Sequence, residues 1–191
     1  MTTSNPFIVG EKCYLRGLAP ADANATYAAW LNDYEVTKYL EVGRFPMTEA
    51  DLLSFLEGRT NNHTGVLFAI CDLKTDQHIG NVALNHIHPV HRRADFGILI
   101  GEKSFWGKGY GTEATRLIID YGFRRLNLHS IWLGVLAANI PAKRSYEKIG
   151  FVVDGKNRQA WWADGQWHDV YQMSLLASEY YAAQKAETDH D

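Results

Sequence analysis

The chain has 191 residues, 46% of them apolar and 21% charged, which suits one compact domain built around a sizeable core. A net charge of −3 and a pI near 6.2 argue against a general nucleic-acid binder, which carries a basic excess. No apolar run approaches the ~18 residues of a membrane span. The opening MTTSNPFIVGEK lacks the basic and apolar regions of a signal peptide, so a cytoplasmic location is expected.

No repeat or linker divides the sequence, so it reads as a single domain over 1–191 with its core at about 10–177. KCYLRGL (12–18) alternates as a strand, and 19–33 reads as a helix with Tyr27, Trp30 and Leu31 on one face. A second helix is expected over 47–60, capped by Thr48, with Leu52, Leu53, Phe55 and Leu56 as its apolar side. Residues 65–72 and 78–88 form a hairpin around LKTDQ, and 93–101 follows as a third strand. Cys13 and Cys71 fall in apolar strand-like runs and read as buried thiols.

Beyond these, 112–126 is helical with Ala114, Leu117, Ile118 and Tyr121 on one stripe. Residues 130–136 make a strand, and 141–149 a short helix stopped by Gly150. Segments 151–158 and 168–176 pair as strands around a turn in WWADGQW (161–167), and the tail 184–191 is expected to fray. The fold class is therefore α/β (α+β): a mixed, mostly antiparallel sheet flanked by helices.

The stretch FWGKGYGTEA (105–114) places glycine at 107, 109 and 111, just where a helix begins. It fails the phosphate-binding P-loop pattern, because Gly109 rather than Ser or Thr follows Lys108. It also fails the dinucleotide fingerprint, which would need glycine at Thr112. What remains is the physics both motifs share. A helix N-terminus offers backbone N–H groups and partial positive charge, and absent side chains let an anionic diphosphate reach them. A tight turn with a glycine-rich helix entry is the plain alternative.

A second stretch, NIPAKRSYEKIGF (139–151), sets Asn139 seven residues before Tyr146, close to two helical turns. Together the two stretches resemble the GNAT superfamily of acyl-CoA N-acyltransferases, with signatures [QR]-x-x-G-x-[GA] and N-x(6)-Y-E-K-x-G-F. Trp106 stands where that family usually has Gln or Arg, and the loop is most similar to the RimJ/RimL-like branch of ribosomal-protein N-terminal acetyltransferases. The resemblance runs from YLRGL to YQMSLL.

The resemblance implies direct acetyl transfer from acetyl-CoA to an amine on a splayed central sheet. Gly107, Lys108, Gly109, Tyr110, Gly111 and Thr112 would hold the diphosphate. Ile98, Leu99 and Ile100 would meet the pantetheine arm, with Gly97 at the bulge that opens the fork and Asn139 bonding the same arm or capping a helix. One strand amide would stabilise the oxyanion, worth about 3–4 kcal/mol where such donors have been removed. Tyr146 matches the acid that protonates the thiolate. Asp95 is the first candidate base, with His86, His88 (read as facing one way) and Glu41 as alternatives. Asp95 could equally be a surface charge paired with Arg92 or Arg93. A zinc reading of HIHPVHRR (86–93) lacks a completing ligand, and no metal is expected.

The amine is less defined. Trp30, Tyr34, Tyr39, Phe45, Trp161, Trp162 and Trp167 suit a sugar ring if they line the acceptor site, although any one of them could be core. WLNDYEVTKYLE also resembles members that acetylate amino sugars, so a nucleotide-linked amino sugar or other small amine leads. A peptide N-terminus comes next, then a polyamine, for which Asp33, Glu35 and Glu41 look too few, or an aminoglycoside. A non-catalytic CoA-binding module is the alternative of another class. A homodimer is compatible with aromatics exposed near the last hairpin.

Overall fold

The computed structural model describes residues 5–58 and 64–188. Its elements, in order, are β1 (Ile8–Val9), β2 (Cys13–Gly17), α1 (Ala25–Asn32), α2 (Tyr34–Thr37), α3 (Glu49–Gly58), β3 (Val66–Asp72), β4 (His78–His88) and β5 (Arg93–Ile100). Then come α4 (Tyr110–Arg124), β6 (Ser130–Leu136), α5 (Ile140–Ile149), β7 (Val152–Ala163), β8 (Gln166–Leu176) and α6 (Ala177–Thr188). The strands form one mixed sheet in the order β1-β2-β3-β4-β5-β6-β8-β7. The chain divides into two compact units: the chain up to Ala83 with Gly97–Ile118, and Leu84–Phe96 with the chain from Ile119.

In the first unit β2 pairs antiparallel with β3, from Cys13↔Asp72 to Gly17↔Phe68. Leu15, Ile70 and Ile79 are fully buried there, and Cys13 and Cys71 are buried free thiols, as expected. Tyr27, Trp30, Leu31, Val36 and Leu52 make a helical cluster, with Leu99 packed against it. Helix α1 starts later than the sequence suggests. Pro20–Asp22 is a separate 3-10 turn, and Asn24 caps α1 by accepting from Tyr27 N at 3.1 Å. Asp33 then ends α1 and caps α2, a turn of helix the sequence reading missed, by accepting from Glu35 N at 2.9 Å. Thr48 caps α3 as expected, accepting from Asp51 N at 3.2 Å. The apolar side of α3 is narrower than read: Leu52 is buried, but Leu53 and Phe55 are exposed. The expected helical positions 59 and 60 lie outside the described residues.

In the second unit β6 pairs antiparallel with β8, from Ser130↔Leu176 to Leu136↔Val170. Parallel pairing of β5 with β6 covers only Arg93–Asp95 against Ser130–Trp132. β7 and β8 run longer than read, turning at Asp164–Gly165 with φ of +50° and +74°, so all three hairpin tryptophans lie on strands. Helix α5 stops at Gly150, whose φ is +113°.

Of the tail, residues 184–188 belong to α6, and 189–191 lie outside the described residues. Tyr180 and Tyr181 hold α6 to α4 by packing on Phe123 at 5.3 and 6.4 Å between ring centroids. The Tyr180 hydroxyl donates to Asp120 at 2.9 Å, and Arg124 donates to Gln184 at 2.8 Å.

Candidate active site

The glycine stretch forms the turn that leads into α4. Gly107 and Gly109 take φ of +70° and +88°, the left-handed region, while Lys108 between them does not. Such alternation turns successive backbone N–H groups into a concavity that suits an anion. A Cβ at Gly107 would meet open space, so at that position conformation demands glycine. The first bond into α4 runs from Glu113 N to Gly109 O at 3.0 Å, so the amides of 110–112 precede the helical ladder. Gly111 opens the helix beneath Ile98 and Ile100, whose side chains stand 4.0 and 3.7 Å from where its Cβ would be. Leu99, alternating with them, faces the α1 cluster.

Several side chains hold this turn, and the sequence reading did not find two of them. Glu113 accepts the backbone amides of Glu11 at 2.6 Å and Lys12 at 2.9 Å, which binds the β1–β2 turn to the first turn of α4. Lys12 Nζ in turn donates to Lys108 O at 3.1 Å. An acid at a helix start is a common signal, but nothing in the sequence tells which distant amides it will serve. Trp106 explains the departure from the usual Gln or Arg: its indole N–H donates to Ile100 O at 2.8 Å, tying the turn to the end of β5. That carbonyl, expected to face the coenzyme arm, is thus already engaged. The Tyr110 hydroxyl donates to Asp72 at 2.6 Å; this bond and burial push its pKa up to about 12.

Tyr146 lies on α5 with its ring edge-on to Phe96, 5.8 Å between centroids, and tilted against Phe151 at 5.9 Å. Burial among these rings pushes its pKa up to about 12, so it holds its proton at neutral pH. Asn139 is the N-cap of α5, its side chain accepting from Ala142 N at 3.3 Å. The capping alternative is therefore what the free chain displays.

Asp95 is hydrogen-bonded to His86 rather than paired with Arg92 or Arg93: Oδ1 lies 2.6 Å from His86 Nδ1. Arg92 instead donates to Asn127 at 3.1 Å. His86 has a left-handed φ of +48°, which breaks the alternation of β4. His88 stacks on His91, 4.3 Å between centroids, and no metal-binding group of histidine, cysteine or carboxylate side chains occurs among the described residues.

The acids near the first helices already hold cations. Lys103 bridges Asp33 at 2.7 Å and Glu35 at 3.0 Å, and Arg44 pairs with Glu41 at 3.1 Å. Of the aromatic set, Trp30 is core, while Tyr34, Phe45, Trp162 and Trp167 are exposed. Among the described residues no helix is long and apolar enough to cross a membrane.

The model of the acetyltransferase (GNAT) domain family matches residues 12–152. An N-acetyltransferase p20 of Bacillus licheniformis, itself uncharacterized, is 35% identical over 177 residues, 89% of this chain and 96% of that protein. The spermidine N(1)-acetyltransferase of Escherichia coli K12 is 39% identical over 106 residues, 56% of either chain. A crystal structure of Vibrio cholerae spermidine N-acetyltransferase in complex with CoA and spermine superposes with a TM-score of 0.82 at 29% identity, covering 89% of this chain and 98% of that one. The chain belongs to the GNAT family of N-acetyltransferases.

Proposed function

We propose that this enzyme moves the acetyl group of acetyl-CoA to a primary amine on a small molecule, by direct attack. The observation that carries the reading is the Gly107–Lys108–Gly109 turn, with left-handed φ at both glycines, opening onto a 15-residue helix. Its amides, with those of Tyr110, Gly111 and Thr112, receive the diphosphate. The half-buried end of β5 at Ile98, Leu99 and Ile100 meets the pantetheine arm, and Asn139 is a further partner for the same arm. The coenzyme supplies the activated acetyl group. An alkylammonium acceptor titrates near ~10 and must lose a proton before it can attack. Asp95 serves the removal of that proton, and Tyr146 gives its own to the departing sulfur.

For the acceptor, the relatives that act on spermidine favour a polyamine. A second reading, a monoamine such as an amino sugar, is favoured by the lysine and arginine that already neutralise Asp33, Glu35 and Glu41. Exposed pairs of this kind are weak because solvent screens them, so a polycation could displace them. Thiol release from acetyl-CoA with spermidine, glucosamine and an N-terminal peptide, each alone, separates the cases. A kcat/KM for spermidine at least tenfold above glucosamine supports the polyamine, and the reverse supports the sugar. Turnover of the peptide alone overturns both.

A further inference from the structure

We infer that His86, held by Asp95, is the group that takes the proton from the amine, and that Asp95 positions it. The inference rests on the acetyltransfer reading above and assigns its proton acceptor. Asp95 Oδ1 and His86 Nδ1 are 2.6 Å apart, the length of a charge-assisted hydrogen bond. Asp95 is four-fifths buried, with 21% of its side chain exposed, whereas the His86 side chain is 86% exposed. Of the two, the imidazole is the one an arriving amine meets. With Nδ1–H donated to the carboxylate, Nε2 is left with its lone pair, the tautomer a base requires.

The backbone supports the same assignment. His86 holds a φ of +48° inside a strand, a conformation that strains a residue with a Cβ. Glycine would relieve that strain but could not carry the ring to Asp95. The other charged or titratable groups of this corner are directed elsewhere: Arg92 to Asn127, and His88 and His91 onto each other. Arg93 sits at the start of β5, two residues from Asp95, and Trp132 lies opposite Asp95 in the sheet.

Neutral His86 takes a proton from the ammonium, and the freed nitrogen forms its bond to the thioester carbonyl carbon. As the tetrahedral adduct collapses, the carbon–sulfur bond breaks and the sulfur takes the proton of Tyr146. The second proton on nitrogen returns to the tyrosinate by way of solvent, leaving the amide, free CoA and protonated His86, which discharges to water.

The test uses His86→Gly, which suits the left-handed backbone and so keeps the fold, alongside His86→Gln and Asp95→Asn. Turnover is measured with spermidine and with glucosamine. For His86→Gly and His86→Gln we expect kcat to fall at least about 100-fold, with the acetyl-CoA KM within twofold of wild type. Added imidazole should restore part of the rate in His86→Gly alone. Asp95→Asn should lower kcat without rescue by imidazole, because the ring is present but wrongly held. A His86→Gln rate within threefold of wild type overturns the assignment, as does a His86→Gly rate that imidazole leaves unmoved. If the wild-type protein acetylates neither amine, the small-amine reading itself fails.

Discussion

Lys12 reaches from the start of β2 to place its ammonium 3.1 Å from the carbonyl of Lys108, in the middle of the glycine turn. Its own amide is bound by Glu113, so charge and turn are fixed to each other through one carboxylate. Replacing Lys12 with Gln should raise the Kd for acetyl-CoA about fivefold, the equivalent of about 1 kcal/mol, with kcat little changed. Titration at two salt concentrations checks it, since the loss should shrink as salt rises. Glu113→Ala leaves three amides without their acceptor and should lower stability by about 1–3 kcal/mol, read as a Tm lower by several degrees.

Tyr146 offers a cleaner separation of binding from chemistry. Phenylalanine keeps the ring contacts with Phe96 and Phe151 and removes only the proton. Tyr146→Phe should lower kcat about 100-fold or more while the acetyl-CoA KM stays within twofold, measured by steady-state thiol release. Unchanged kcat would remove Tyr146 from the proton path.

Alkali should unfold the protein from its tyrosines. Burial raises Tyr146 to about 12, and the bond to Asp72 together with burial raises Tyr110 to about 12, above the usual value of 10.0. Tyr180 is raised as well, first by burial and then by its bond to Asp120. The unfolded chain therefore loses these protons first as pH climbs. The stability they lend is complete below pH 10 and declines from there to about 12. Denaturant midpoints at pH 8, 10 and 11 should be level across the first interval and fall across the second, and Tyr110→Phe should flatten part of the fall.

Asp22 tests the interior of the first unit. Burial alone would push its pKa up, but the Arg16 guanidinium, bonded to both carboxylate oxygens at 2.8 Å, and the Ala19 amide hold it below the usual carboxylate range. Asp22→Asn leaves the Arg16 charge without its counter-ion and should destabilise by about 3 kcal/mol. Thermal unfolding checks this; a loss under 1 kcal/mol would show that the pair is solvated. By the same linkage, the stability it lends is present at neutral pH and lost as acid protonates the depressed carboxyl.

What the sequence disclosed and what it hid divide along physical lines. Local signals were sound: the glycine alternation, the Thr48 cap, and Asn139 before Pro141 all act within one turn of helix, and the structure forms the turn and the caps there. Contacts across long stretches of chain were hidden. Glu113 and Lys12 lie about 100 residues apart, and no periodicity links them. Helix α6 was missed because ASEYYAAQKAET has little apolar surface of its own; its order comes from Tyr180, Tyr181 and Gln184 meeting α4. His86 and Asp95 were each named as candidate bases, but their contact was hidden, because period-two reasoning assumes a regular strand and His86 takes a left-handed φ of +48°.

The most direct measurement is calorimetric titration of acetyl-CoA into the wild-type protein and Gly109→Val. Valine cannot adopt a φ of +88° without strain, and its Cβ would stand 3.2 Å from Lys12 Nζ. Micromolar binding by the wild type and none by a variant with unchanged circular dichroism is the predicted result. Equal affinity in the two proteins would contradict the account, because the coenzyme would then not depend on the backbone of this turn.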